Sequence, residues 1–249
     1  MFKPVVFAIF VLLGQAGQDV FLIDADQLIE IADSKQSKKE LKILTKAYKK
    51  AKNEYEYIRR SQAESFADAQ YRRGTTAGEL RSLLTAQKNE RMTYLSVLLD
   101  LRVQIQAVPD SAEWSRYINH SYTAIKTPEP TQISSQLLST ERIAALKKVM
   151  EKTFSGSKYE TKARDIMDDF IQDLVEITQN EADRRKATEY ILVDKNASRT
   201  QLQKVLEDRY LFYQELADAF VQFRTRILQI VEPEDWADIA LKLSKLVYD

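Results

Sequence analysis

The chain reads as an all-α protein: an elongated helical bundle built from two tandem copies of a long antiparallel helical hairpin with short flanking helices. Three observations point there. Glycine and proline number only five each in 249 residues, too few for a turn-rich β fold. Apolar residues recur at alternating spacings of three and four over stretches of more than thirty positions, the pattern of a helix seam. That pattern then returns at a constant shift, Leu80 and Leu84 lying 122 positions before Leu202 and Leu206.

The chain opens Met1-Phe2-Lys3-Pro4, runs apolar from Val5 to Leu13, and reaches Gly14-Gln15-Ala16. One basic residue, a short apolar core and small residues at the −3 and −1 positions of a cut after Ala16 predict a signal peptide over residues 1–16. The apolar run is far below the ~20 residues that span a bilayer, and no later stretch is apolar enough. The expectation is an exported protein with no transmembrane segment in the mature chain, periplasmic if the source is Gram-negative and secreted otherwise.

Residues 17–126 form the expected first helical unit. Asp24 can cap a short helix reaching Asp33, with Gln27 at the third position. A long helix follows over 37–73, with Leu41, Leu44, Tyr48, Tyr55, Ile58 and Gln62 among its inward positions. Gly74 breaks it and suits a left-handed helix end. A second long helix, 76–108, carries a seam from Leu80 through Gln87, Arg91 and Tyr94 to Ile105. Folded back at Gly74, the two seams face each other, Gln62 opposite Gln87. Pro109 ends this helix, and a short one begins at Ser111.

Residues 127–138 are the expected linker, since Pro128 and Pro130 cannot both sit inside a helix. Residues 139–249 repeat the order: a short helix over 140–154, a long one over 159–193, a break at Asn196, and a long seam from Leu202 to Ile230. Arg102 and Trp114 fall on Arg224 and Trp236, Glu113 on Asp235, and Gly74 on Asn196. The shared order predicts an internal duplication.

Two groups of residues are candidate sites. The first is a polar section interrupting the seams: Gln62, Gln87 and Arg91, then Glu181, Arg184, Arg209 and Tyr213. Buried charge is costly unless paired, so this section is either wet or paired: it is solvated where the hairpin tips project beyond the core, or it forms a polar pocket or partner-docking surface toward the tips. The second is the repeated corner of Arg102, Glu113 and Trp114 with Arg224, Asp235 and Trp236. It reads as structural: a capping box at Asp110 and Glu113, a tryptophan as hydrophobic staple, and an arginine paired with the corner carboxylate.

No catalytic residues, cofactor or metal site is expected. His120 is the single histidine and there is no cysteine, which removes thiol chemistry and zinc-thiolate sites. No phosphate-binding or dinucleotide loop is present. Asp165, Asp168, Asp169 and Asp173 have helical spacing and read as a solvated face. Lysine plus arginine equals aspartate plus glutamate at 37 each, so no net field favours nucleic acid. The segment Val231-Glu232-Pro233-Glu234-Asp235-Trp236 loosely resembles, over about ten residues, the Leu-Thr-Pro-Glu-Gln segment of the periplasmic Spy/CpxP helical chaperones, departing from it at most positions. The reading that follows is a non-enzymatic envelope protein that binds protein partners as an adaptor, sensor or chaperone. The alternatives are a structural subunit of a surface or secretion assembly, and a small-ligand or metal binder using the polar section.

Overall fold

The computed structural model describes residues 24–124 and 140–244. The expected signal peptide and linker lie outside them. Eight helices and no strand make up the described residues: α1 (Ala25–Ile31), α2 (Lys35–Tyr71), α3 (Ala77–Ala107), α4 (Ser111–Ala124), α5 (Thr140–Phe154), α6 (Glu160–Val193), α7 (Arg199–Ile230) and α8 (Pro233–Ser244). The fold is an all-α bundle. At 1.5 Å per residue α2 is ~55 Å long.

Local chemistry fixes the starts of these helices. The Asp24 carboxylate accepts from the Gln27 N–H, and Ser34 caps α2 through the Ser37 N–H. Thr76 and Glu79 form a full capping box at the head of α3, and Ser198 and Gln201 form another at the head of α7. Each satisfies two helix-end donors reciprocally. Pro233 opens α8, where its missing N–H costs nothing.

The helix ends depart from the sequence expectation. Gly156 is the only residue with positive φ among those described, so neither Gly74 nor Asn196 is left-handed. Instead Arg72 and Asp194 leave α2 and α6 in extended conformation, with φ near −70° and ψ of 118° at both. A left-handed cap would satisfy the last carbonyls of the helix from its own chain. Here side chains from the opposite half satisfy them, so the backbone is free to leave straight.

Helices α2 and α3 pack as one antiparallel hairpin, α6 and α7 as another, and α3 lies against α7 to join them. The short helices hold equivalent places: α1 on α2 and α4, α5 on α6 and α8. The hairpins run head to tail, so each tip docks into the base of the other. Two apolar cores result. One, at the α4 end, gathers Leu41, Tyr48, Leu98, Trp114 and Tyr117 of the first half with Leu192, Leu202 and Leu206 of the second. The other, at the α8 end, gathers Phe154, Phe170, Phe223 and Trp236 of the second half with Phe66 and Leu80 of the first. Neither core belongs to one half alone.

Candidate functional site

The polar section lies between the two cores, in the middle of the bundle. Gln62 stands nine residues before Tyr71, the last residue of α2, or ~14 Å along the helix, so the expected position near the hairpin tips is corrected. The tips are occupied by corner contacts.

In the first half the section is built from amides. Gln87 Nε2 donates to the Gln62 carbonyl at 2.9 Å, and Gln62 Nε2 donates to the Gln87 carbonyl at 3.4 Å. Gln62 also donates to Glu90, and Arg91 Nε donates to Gln62 Oε1. Arg91 hydrogen-bonds Tyr210 of the other hairpin, and Tyr210 bonds Tyr55. Burial pushes both phenols above their ordinary value of 10.0.

In the second half the same level is ionic. Glu181 is fully buried and accepts from Arg185 at 2.7 Å, Arg209 at 2.9 Å and Arg184 at 3.4 Å. Arg184 also makes a two-pronged pair with Glu215 at 2.6 and 3.0 Å, which raises its pKa further. Glu181, Arg184 and Arg209 therefore form a paired cluster. Sequence reading missed Arg185 and Glu215. Arg185 carried a signal, a base four positions after an acid on one helix.

A cavity of about 140 Å³ borders this belt between α3 and α7. Gln87, Arg91 and Tyr213 of the expected polar section line it, whereas Gln62, Glu181, Arg184 and Arg209 do not. Its floor is Gln87, Arg91, Tyr210 and Tyr213, all buried, and Leu84 and Ala217 form apolar walls. Two bridges cross it from helix to helix. Arg81 Nε meets Asp218 at 2.9 Å, and Lys88 Nζ donates to Gln214 Oε1 at 2.9 Å. Arg81 and Lys88 are two helical turns apart, so the slot is ~10 Å long. Gln87 is 6% exposed, yet its Oε1 is buried with no hydrogen-bond partner. The lining holds one carboxylate, Asp218, and no histidine. Among the described residues no three His, Cys, Asp or Glu side chains gather into a metal-binding group. Asp168 and Asp169 pair instead with Lys147 and Arg226.

The repeated corners do something other than the expected arginine–carboxylate pairing. Arg102 Nη2 donates to the Leu192 carbonyl at 2.7 Å, Gln106 Nε2 to the Ala197 carbonyl at 2.7 Å, and Trp114 Nε1 to the Val193 carbonyl at 2.8 Å. All three acceptors lie at the tip of the second hairpin. Arg224 donates to the carbonyls of Gln70 (2.7 Å), Arg72 (2.7 Å) and Thr75 (3.0 Å), and Trp236 Nε1 to that of Tyr71 (2.9 Å). These acceptors lie at the tip of the first hairpin. Gln70, Tyr71 and Thr75 are the positions 122 residues before Leu192, Val193 and Ala197. Each arginine also lies over its own tryptophan, 5.9 Å in one corner and 5.6 Å in the other. A cation at a helix C-terminus meets the negative end of the helix dipole, which explains the choice of carbonyls over carboxylates. Burial lowers Arg224 to about 10, so it remains charged at neutral pH.

The corner carboxylates are used for capping. Glu113 accepts from the N–H groups of Asp110 at 2.8 Å and Asp33 at 2.6 Å. The shorter Asp235 instead accepts from the Tyr159 hydroxyl at 2.7 Å, whose oxygen accepts from the Glu232 N–H at 3.2 Å. The phenol relays a contact that the longer side chain makes directly.

No protein-family model, curated protein or solved structure matches the chain in comparison.

Proposed function

We propose that the chain is an exported, non-enzymatic binding protein that takes a small molecule into the slot between α3 and α7. The observation that carries this reading is a cavity of about 140 Å³ between α3 and α7 whose lining residues include Arg91 and Gln87, the latter with a buried Oε1 that has no hydrogen-bond partner. Buried acceptors are normally hydrogen-bonded, and cavities with a few converging polar groups are common ligand sites. The 122-residue correspondence of helices and corner contacts supports reading the chain as an internal duplication. The sequence over residues 1–16 supports export.

A second reading is an adaptor or assembly subunit that binds proteins along the outer helices. It is favoured by Tyr57 on α2 and Tyr190 on α6, which are 73% and 65% exposed. Such residues are also ordinary when scattered singly, which places this reading second. Native mass spectrometry of the protein purified gently from its own host separates the two. A stoichiometric small molecule released on denaturation supports the ligand reading. Fixed-stoichiometry protein partners with no such molecule support the adaptor.

A further inference from the structure

The turn between α6 and α7 carries chemistry that neither the slot nor the corners use. We propose that Asp194-Lys195-Asn196-Ala197-Ser198 is a site of N-linked glycosylation, with the Asn196 amide as the acceptor of an oligosaccharide. This rests on the export proposed above and not on the small ligand.

Asn196-Ala197-Ser198 has the Asn-x-Ser spacing of such acceptors, with a residue other than proline in the middle. Asp194 stands two positions before Asn196, where bacterial transferases of this class read a carboxylate. The fold presents these three side chains to solvent together. Asp194, Asn196 and Ser198 are exposed, while Ala197 is 2% exposed and its carbonyl accepts from Gln106. A bulky, solvated sugar on Asn196 therefore leaves the contacts of the tip with the first half in place. The backbone does not demand asparagine here. Its φ is not positive, so the left-handed conformation that asparagine tolerates is not the reason for it. The other Asn-x-Ser segment, Asn119-His120-Ser121, lies within α4 and has the uncharged, buried Tyr117 at the position of Asp194.

The donor is an oligosaccharide carried on a lipid pyrophosphate, and a membrane transferase joins it to the chain. Asn196 Nδ2 forms a bond to the anomeric carbon as the bond from that carbon to the pyrophosphate oxygen breaks. Nδ2 gives up one proton and the lipid pyrophosphate leaves, with no oxidant or reductant needed. Such transferases also read the hydroxyl two residues after the asparagine. In the folded chain Ser198 Oγ is engaged in capping α7: it accepts from the Gln201 N–H at 3.2 Å and donates to Gln201 Oε1 at 2.8 Å. Transfer therefore precedes the closing of that cap. The acidic part of the site does not wait for α7. Asp194 Oδ1 accepts from the Asn196 N–H at 2.8 Å, a local turn that needs only residues 194–196.

Intact-mass and peptide mass spectrometry of the full chain purified from its own host test this. The expected result is a chain that begins at Gly17 and carries a sugar mass on the peptide containing Asn196, with Asn119 bare. Asn196→Gln and Asp194→Asn, expressed in the same host, are each expected to lose the sugar. Asp194→Asn keeps an oxygen that can accept from the backbone N–H, so loss there reports the missing charge. Asn119→Gln is expected to keep the sugar. A chain cut after Ala16 with a bare Asn196 overturns the glycosylation and leaves export standing. A chain that retains residues 1–16 and has no sugar overturns both. Sugar that survives Asp194→Asn, or that sits on Asn119 as well, overturns the part given to Asp194.

Discussion

The α4 end of the bundle buries phenols, and the α8 end is filled mainly by phenyl rings. Tyr48, Tyr55, Tyr117 and Tyr210 belong to the first core, which contains no phenylalanine among the described residues. Phe66, Phe154, Phe170, Phe212, Phe220 and Phe223 fill the second, with Phe170 stacked on Phe223 at 4.6 Å. The corners differ in the same spirit. Arg102 shares its hairpin tip with Gln106, whereas Arg224 meets three carbonyls alone and Leu228 stands where Gln106 would be. One backbone plan thus tolerates two chemistries, provided each helix-end carbonyl finds a donor.

The largest difference between the ends is expected in alkali. Burial raises the phenols of Tyr48, Tyr55 and Tyr210 above 10.0, and all three belong to the α4 end. A raised folded pKa means the unfolded chain loses its protons first. The stability these groups contribute is therefore whole below about pH 10 and is lost as pH climbs from there toward the folded values. The two tryptophans report one end each. In Trp236→Phe protein, Trp114 fluorescence should change at lower pH than Trp236 fluorescence does in Trp114→Phe protein. Coincident transitions would show that the ends do not open separately.

Arg224→Met comes next. It strands the carbonyls of Gln70 and Thr75 and leaves that of Arg72 to the Thr75 N–H, and an unsatisfied acceptor costs ~1–3 kcal/mol when buried. These sites are partly exposed, so a loss of roughly 3–4 kcal/mol in urea unfolding is expected. Arg102→Met strands one carbonyl and should cost about 1–3 kcal/mol. Equal losses would mean that Gln106 contributes nothing to the first corner.

Tyr159→Phe removes the relay between Asp235 and the Glu232 N–H and should cost about 1–2 kcal/mol. Adding Asp235→Glu rebuilds the arrangement seen at Glu113, and part of that loss should return. No recovery would show that the shorter side chain is held by more than the missing reach. Smallest of all is Asp218→Asn, which opens an exposed ion pair and should change stability by about 0–1 kcal/mol.

Much of the helical order was legible in the sequence. The seams placed Gln62 opposite Gln87, and the 122-residue shift found both corners, because periodicity and breakers act within a hairpin. What lies between hairpins was not legible. Arg81, Tyr210, Gln214 and Asp218 sit on the flanks of their seams, and only the packing of α3 on α7 brings them together. The arginine partners were missed for the same reason: a carbonyl carries no sequence signal, while a nearby carboxylate does. Gly74 misled because the left-handed cap it suggests became unnecessary once Arg224 arrived from the opposite half.

The reciprocal clamp also sets a clock. The contacts of Trp114 and Arg102 with the second hairpin close over 79 and 90 residues. Those that finish the first hairpin close over 149 to 165. During synthesis at ~5–20 residues per second, the carbonyl of Tyr71 waits roughly 8–33 s for the indole of Trp236. The first half to be made is the last to be finished, and until then the Tyr71 carbonyl is left to water.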